Sequence, residues 1–411
     1  MQGSHAATRS LVLLVCAAQV LAQIGAYTWP ALLPQFVDAW ALSNREAGAI
    51  TGAFYGAYVL AVPILVTLTD RVDPKKIYLA GVALTLASHL AFAAFASGFW
   101  DAFTLRMVAG IGWAGTYMTG LKLLADRVDA QMMSRAVAGH AASIGISGAL
   151  SFVFAASIAT AWGWQGAFVA AGACAALAWV IVAFGCPPRA APAAARIEGA
   201  ALFDFRPVLR NRSAMAYAVA YGVHTFEMSA LRGWVVAFLA YVALSAGTST
   251  GAWLAPATVA TAMALLGTWA SFSGNELSIR WGRGRLIAVA MLGAGVLALA
   301  VGLLGPSSYA MATVLVLAWA VFIWLDSASL TAGAAGSAEP ARRGATLAVH
   351  SMLGYLGGFI GPFAVGWILD LAGGMSRLGW SLAFGHIALV IAAGFWVHRR
   401  LGPQALAGDR A

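Results

Sequence analysis

The chain has 411 residues, 61% of them hydrophobic and 9% charged, with a mean hydropathy of +0.82. A soluble domain carries about 25% charged residues, so this composition excludes a soluble enzyme or regulator and points to an integral membrane protein. The net charge of +9 and isoelectric point near 9.8 would suit a nucleic-acid binder, but the basic residues lie in short links between apolar runs, where lipid headgroups meet them. The apolar runs exceed the roughly 10 alternating residues of a barrel strand. They are long enough to cross a bilayer as helices.

In chain order, twelve apolar segments are predicted at 10–36, 47–69, 77–98, 102–124, 136–160, 164–186, 213–244, 252–273, 286–305, 308–331, 345–370 and 380–398. The first resembles a signal peptide with a small-residue site at Val20-Leu21-Ala22. Its apolar run continues past Gln23, however, and it is read as an uncleaved first helix. The long connection 187–212 contains PPRAAPAAAR and a basic stretch at Arg206, Arg210 and Arg212. It reads as a tether between a six-helix bundle at 9–186 and a second at 213–400, with a short tail at 401–411. Most Lys and Arg fall in links on one side of the twelve segments. Arg45 and Arg377 fall on the other, and Arg106, Lys122 and Arg232 fall inside segments. The positive-inside rule then places the tether and both termini in the cytoplasm of a bacterium, with the helices in its inner membrane. Cys16, Cys174 and Cys186 have no metal-like spacing, so no metal, disulfide or other cofactor is expected.

The two halves echo each other. Asp70-Arg71-Val72-Asp73-Pro74-Lys75-Lys76 follows the second segment, and Glu276 to Arg285 follows the eighth, each an acid at a helix end before a turn and a basic cluster. Asp126, Arg127 and Arg135 after the fourth segment match Glu339, Arg342 and Arg343 after the tenth. Duplicated halves are typical of transporters.

These motifs resemble the major facilitator superfamily over essentially the whole chain. Asp70, Arg71, Lys75 and Lys76 match the family signature Gly-x-x-x-Asp-Arg-x-Gly-Arg-Lys. Val66 stands where its first Gly is expected, and the second Gly is replaced near Asp73, so this copy is degenerate. Arg280-Trp281-Gly282-Arg283 keeps the Gly-Arg in the second half. Arg106 to Gly112 matches Arg-x-x-x-Gly-x-Gly, and Gly357 to Pro362 resembles the family's gating segments. His224-x-x-Glu227 and Leu330-Thr331-Ala332-Gly333 are similar to the cyanate and nitroimidazole permease-like branch. The resemblance implies an all-α membrane fold of two pseudo-symmetric six-helix bundles. It also implies that the first, fourth, seventh and tenth segments line a central cavity.

Polar residues concentrate on those same four segments. The first carries Gln19, Gln23 and Tyr27; the fourth Arg106, Tyr117 and Lys122; the seventh Tyr221, His224, Glu227 and Arg232; the tenth Trp319, Trp324 and Asp326. A charge near the bilayer centre costs about 2.5–3.5 kcal/mol or more, so such groups face protein or water. Tyr217, Tyr221, His224 and Met228 follow helical spacing on one stripe, with Glu227 beside His224. Gln19, Gln23, Tyr27, Arg106, Tyr117, Tyr221, His224 and Trp324 are the candidate substrate contacts. Arg106 suits a bidentate clamp on an anion or an ion pair with Glu227. Glu227, His224 and Asp326 are the candidate proton carriers; equally, Glu227 stays paired with Arg106 or Arg232. Lys122 and Asp326 are read as a gate pair, or Lys122 snorkels to the interface. Asp70, Arg71, Lys75 and Arg280 complete the signature set, and Asp70, unfavourable at a helix C-terminus, calls for a partner at the seam between the second and eleventh segments. His140 and His350 read as structural residues. His89 and His386 are assigned no role. Glycines at 139, 145 and 148 and at 354, 357, 358 and 361 give faces for close helix approach.

The expected function is secondary active transport of a small polar solute, an organic or inorganic anion, coupled to protons. An exporter of lipophilic drugs is the alternative, though the Gly-x-x-x-Gly-Pro pattern of such antiporters is not intact around Gly145 to Gly148. An enzyme would need clustered His, Asp and Glu or a Ser/His pair, and a sensor an output domain; neither pattern is present. The expected partners are the solute, protons and membrane lipids, with no nucleic acid and a monomeric state.

Overall fold

The computed structural model describes residues 2–411 except 70, 129, 189–204, 340–341, 405, 407–408 and 410–411. The described residues form helices joined by turns, with no strand among them: α1 Gln2–Gln23, α2 Thr28–Ala31, α3 Leu33–Ala39, α4 Asn44–Leu68, α5 Pro74–Phe95, α6 Phe99–Ala114, α7 Tyr117–Ala125, α8 Ala130–Gly185, α9 Arg206–Arg210, α10 Arg212–Ser245, α11 Pro256–Trp281, α12 Arg283–Leu304, α13 Tyr309–Leu325, α14 Ser327–Gly336, α15 Arg343–Leu371 and α16 Arg377–Leu401. Eight stretches within them are long and apolar enough to cross a membrane. Side chains such as Phe184, 84% exposed, and Leu389, 73% exposed, point outward, the inside-out arrangement that lipid tolerates and water does not.

Each predicted segment falls on helix, with local differences. The segment expected at 10–36 is broken into α1, α2 and α3 by a turn at 24–27. The segments at 136–160 and 164–186 share α8, which kinks at Trp162 and Gly163, where φ is +71°; glycine takes that left-handed conformation without a Cβ clash. The fourth and tenth segments divide into α6 with α7 and into α13 with α14. Capping follows simple chemistry: the Asp73 carboxylate accepts from Lys75 N at 3.0 Å to start α5, and Asn211 Oδ1 accepts from Ala214 N at 3.0 Å to start α10.

The chain divides into two compact units, residues 1–32 with 53–197, and 33–52 with 198–411. Residues 33–52, within the predicted first bundle, thus cluster with the second unit. In the first, Val15, Ala18, Tyr78, Val82, Leu123, Ala175 and Ala178 form the core, and Phe92 stacks on Phe168 at 4.0 Å. In the second, α10 lies against α15 with glycines at the seam. A Cβ at Gly357 would stand 2.1 Å from Gly222 O, and one at Gly361 2.2 Å from Phe226 O. The Trp234 indole donates to Pro362 O at 2.8 Å across the same seam. The first turns of α4 also rest on α15, where Asp370 accepts from Asn44 N at 3.0 Å, Asn44 Nδ2 at 2.8 Å and Arg45 N at 2.8 Å.

Candidate functional site

In the first unit, Arg106 projects from α6 and is 3% exposed. Its Nη1 donates to Ala26 O at 3.1 Å, a carbonyl freed by the turn after α1. Its guanidinium carbon lies 4.4 Å from the centre of the Phe54 ring. No carboxylate of this unit pairs with it among the described residues, and its Nε has no hydrogen-bond partner. Gln23, Phe54, Thr85, His89 and Trp113 join it around a cavity of about 10 Å³, space for one water. Gln23 donates to the Thr116 hydroxyl at 2.6 Å. Tyr27 stacks on Phe152 at 5.3 Å, and the Tyr55 hydroxyl donates to that of Tyr27 at 3.4 Å. Gln19 and Tyr117 lie in a neighbouring cluster. Gln19 accepts from the Tyr78 hydroxyl at 3.1 Å, while the Tyr117 ring stacks with His140 and its carbonyl meets His140 Nε2 at 2.9 Å. His89, assigned no role from sequence, lines the Arg106 cavity. A lone histidine on an apolar helix gives no hint of which way it faces.

In the second unit, His224 Nδ1 and Asp326 Oδ1 are 3.1 Å apart, with both side chains no more than 3% exposed. Asp326 occupies the break between α13 and α14, capping one and starting the other. Glu227 lies one turn along α10 and is 2% exposed, and its Oε2 has no hydrogen-bond partner among the described residues. The Tyr221 ring lies against both His224, at 5.7 Å, and His350, at 4.0 Å. A Cβ at Gly354 would strike the Tyr221 ring at 2.3 Å, so only glycine leaves room for it. His350, read as structural, therefore belongs to this cluster and reaches the Thr331 hydroxyl at 3.2 Å. Arg232 sits 4.7 Å over the Trp324 ring.

Asp70 lies outside the described residues. Arg71 is exposed, and the Lys75 ammonium donates to Ala183 O and Cys186 O at 2.8 and 2.6 Å, closing the end of α8. Among the described residues Asp73, at the replaced glycine, meets Arg127 at 2.7 Å with both side chains 5% exposed. Lys122 pairs with Asp126 at 2.6 Å, and Asp326 Oδ1 lies 3.1 Å from His224 Nδ1 without a hydrogen bond between them. Arg280 makes an exposed pair with Glu276 at 2.9 Å. Three residues on, the buried Arg283 forms two 3.0 Å hydrogen bonds to Asp409 and a third to Ser329 O. Tyr217, buried like its stripe partner His224, donates to Gln404 O at 2.8 Å in the same tail.

Charged and polar groups gathered inside helical units whose outer faces are apolar mark a multi-pass membrane protein. By fold the chain resembles a bacterial homologue of the human lysosomal transporter Spinster in an inward-facing, occupied state, with a TM-score of 0.80, 15% identity and 96% of each chain covered. It also resembles a mutant form of the nucleoside transporter NupG, with a TM-score of 0.79, 14% identity, and 95% of this chain and 100% of that one covered. Protein spinster homolog 3 of Danio rerio is 23% identical over 243 residues, 57% of this chain and 49% of the relative. The chain thus spans about half the length of that curated relative. The Major Facilitator Superfamily matches residues 15–362, and the chain belongs to that family.

Proposed function

We propose that this transporter moves a small organic or inorganic anion across the bacterial inner membrane by alternating access, in step with protons. The observation that carries the reading is Arg106: a buried guanidinium without a carboxylate of its unit among the described residues, its Nε without a hydrogen-bond partner, beside a cavity that Gln23, Thr85 and His89 also line. Leaving a charge buried and unpaired is costly, and an anionic solute supplies the missing partner with charge-assisted hydrogen bonds. Gln19, Gln23, Tyr27 and Tyr117 on the same unit, and Tyr221, His224 and Trp324 on the other, are the proposed further substrate contacts. Glu227, Asp326 and His224 carry the proton. Two acids and an imidazole held out of water share protons as a set, and gaining or losing one changes which contacts are favourable. Arg71, Lys75, Lys122 and Arg280 are proposed to act in gating.

Proteoliposome uptake tests this directly, with external pH recorded while small carboxylates, cyanate and nitrate are offered in turn. The wild type should take up one of these anions together with protons. Glu227→Gln should still exchange that anion across the membrane but fail to concentrate it. Proton movement with lipophilic cations and none of the anions would discard the reading in favour of drug export.

A further inference from the structure

The surroundings of Arg106 narrow the anion, on the reading that Arg106 is its binding group. We propose that the ligand is a carboxylate carried on a flat aromatic body. The first argument is the part of the guanidinium left over. Nη1 is occupied by Ala26 O and one face is covered by Phe54, whereas Nε has no partner. What remains is an in-plane N–H edge, which a carboxylate matches better than a point-like anion.

The second argument is what lies beside that edge. Phe54 and Trp113 have ring centres 4.6 Å apart, and Trp113 in turn meets Tyr58 at 5.9 Å and Tyr55 at 6.1 Å. Cyanate or nitrate would give up its hydration to ring carbon and gain nothing from it. A planar ring gains with each face it meets, at about 2- to 12-fold in affinity per aromatic pair. The third argument is space. The cavity of about 10 Å³ holds one water, so a ligand enters only by displacing a side chain. Phe54 is the ring to move, because the ligand's own ring then replaces it over the guanidinium, like for like. Its backbone stays fixed: a Cβ at Gly110 would stand 2.1 Å from Phe54 O, so α6 holds that stretch of α4 at backbone contact.

The test is binding to the purified full chain in lipid nanodiscs by equilibrium dialysis, with benzoate, acetate and nitrate as probes. Benzoate should bind at least about 10-fold tighter than acetate or nitrate. Arg106→Gln should abolish benzoate binding and Arg106→Lys should restore part of it. Trp113→Leu should cut benzoate affinity severalfold more than it cuts acetate affinity, with Trp113→Phe intermediate. Acetate or nitrate binding as tightly as benzoate, with dependence on Arg106, overturns the aromatic ligand and leaves the anion site standing. Benzoate binding indifferent to Arg106, or no binding of any probe to a chain whose melting is normal, overturns both.

Discussion

Asp73 and Arg127 offer the clearest energetic test of how this chain uses its altered signature. Asp73→Asn removes one charge and almost nothing else, because Asn caps a helix as well as Asp and can still accept from Lys75 N. The partner charge remains, in a pair whose side chains are each 5% exposed. Breaking a buried pair on one side costs about 3–5 kcal/mol. Arg127 also donates to Pro187 O at 3.1 Å and Leu123 O at 3.4 Å, which keeps it partly satisfied, so the lower end, about 3 kcal/mol, is expected. Arg127→Gln should cost about the same. The double variant should cost little more than either, which gives a coupling of about 3 kcal/mol. Reversible unfolding in mixed detergent–SDS micelles, followed by tryptophan fluorescence, measures all three. Single costs that add to within about 0.5 kcal/mol would refute the pair as an energetic unit.

Other substitutions probe the second unit. Gly357→Ala puts a Cβ 2.1 Å from Gly222 O and should destabilise by about 1–3 kcal/mol, whereas Gly385→Ala, which meets nothing within 4 Å, should be neutral or stabilise by up to about 1 kcal/mol; equal unfolding midpoints would contradict the close seam. Asp370→Ala should cost about 1–2 kcal/mol through the lost cap and make Thr51→Cys, placed at a position 3% exposed, react faster with a maleimide; an unchanged labelling rate would argue that Asp370 seals nothing. Asp326→Asn should abolish proton-linked accumulation and leave solute binding intact, and transport with full proton linkage would remove Asp326 from the coupling set.

The helices were legible because runs of apolar residues long enough to span a bilayer have few other solutions. Direction within them was not. In helices apolar on all sides, hydropathy says little about which face is buried, so His89 and His350 could not be turned toward their clusters. The break at 24–27 was hidden for a related reason: the apolar run passes straight through it, and the cue, polar Gln23 beside Gly25, is weak. Arg280 and Arg283 are three residues apart in the same motif, and only the tail residue Asp409 distinguishes them. In the first-half signature, the described ion pair forms at Asp73, where the family spacing calls for glycine and gives no cue to an acid. The four polar-rich segments were readable from composition because burying a charge always needs a reason; Gln19, Gln23, Arg106, His224, Glu227 and Asp326 are buried, whereas Lys122 and Arg232 are half-buried.

The buried contact between Arg283 and Asp409 sets an order on biogenesis. The two are 126 residues apart, and at about 5–20 residues per second Asp409 leaves the ribosome roughly 6–25 s after Arg283. Through that interval α12 has a cationic end with no counter-ion, and α10 a Tyr217 hydroxyl without its Gln404 acceptor. The second unit therefore matures in two stages, insertion first and closure later. During the wait, the incomplete end of α12 is a natural handle for quality control.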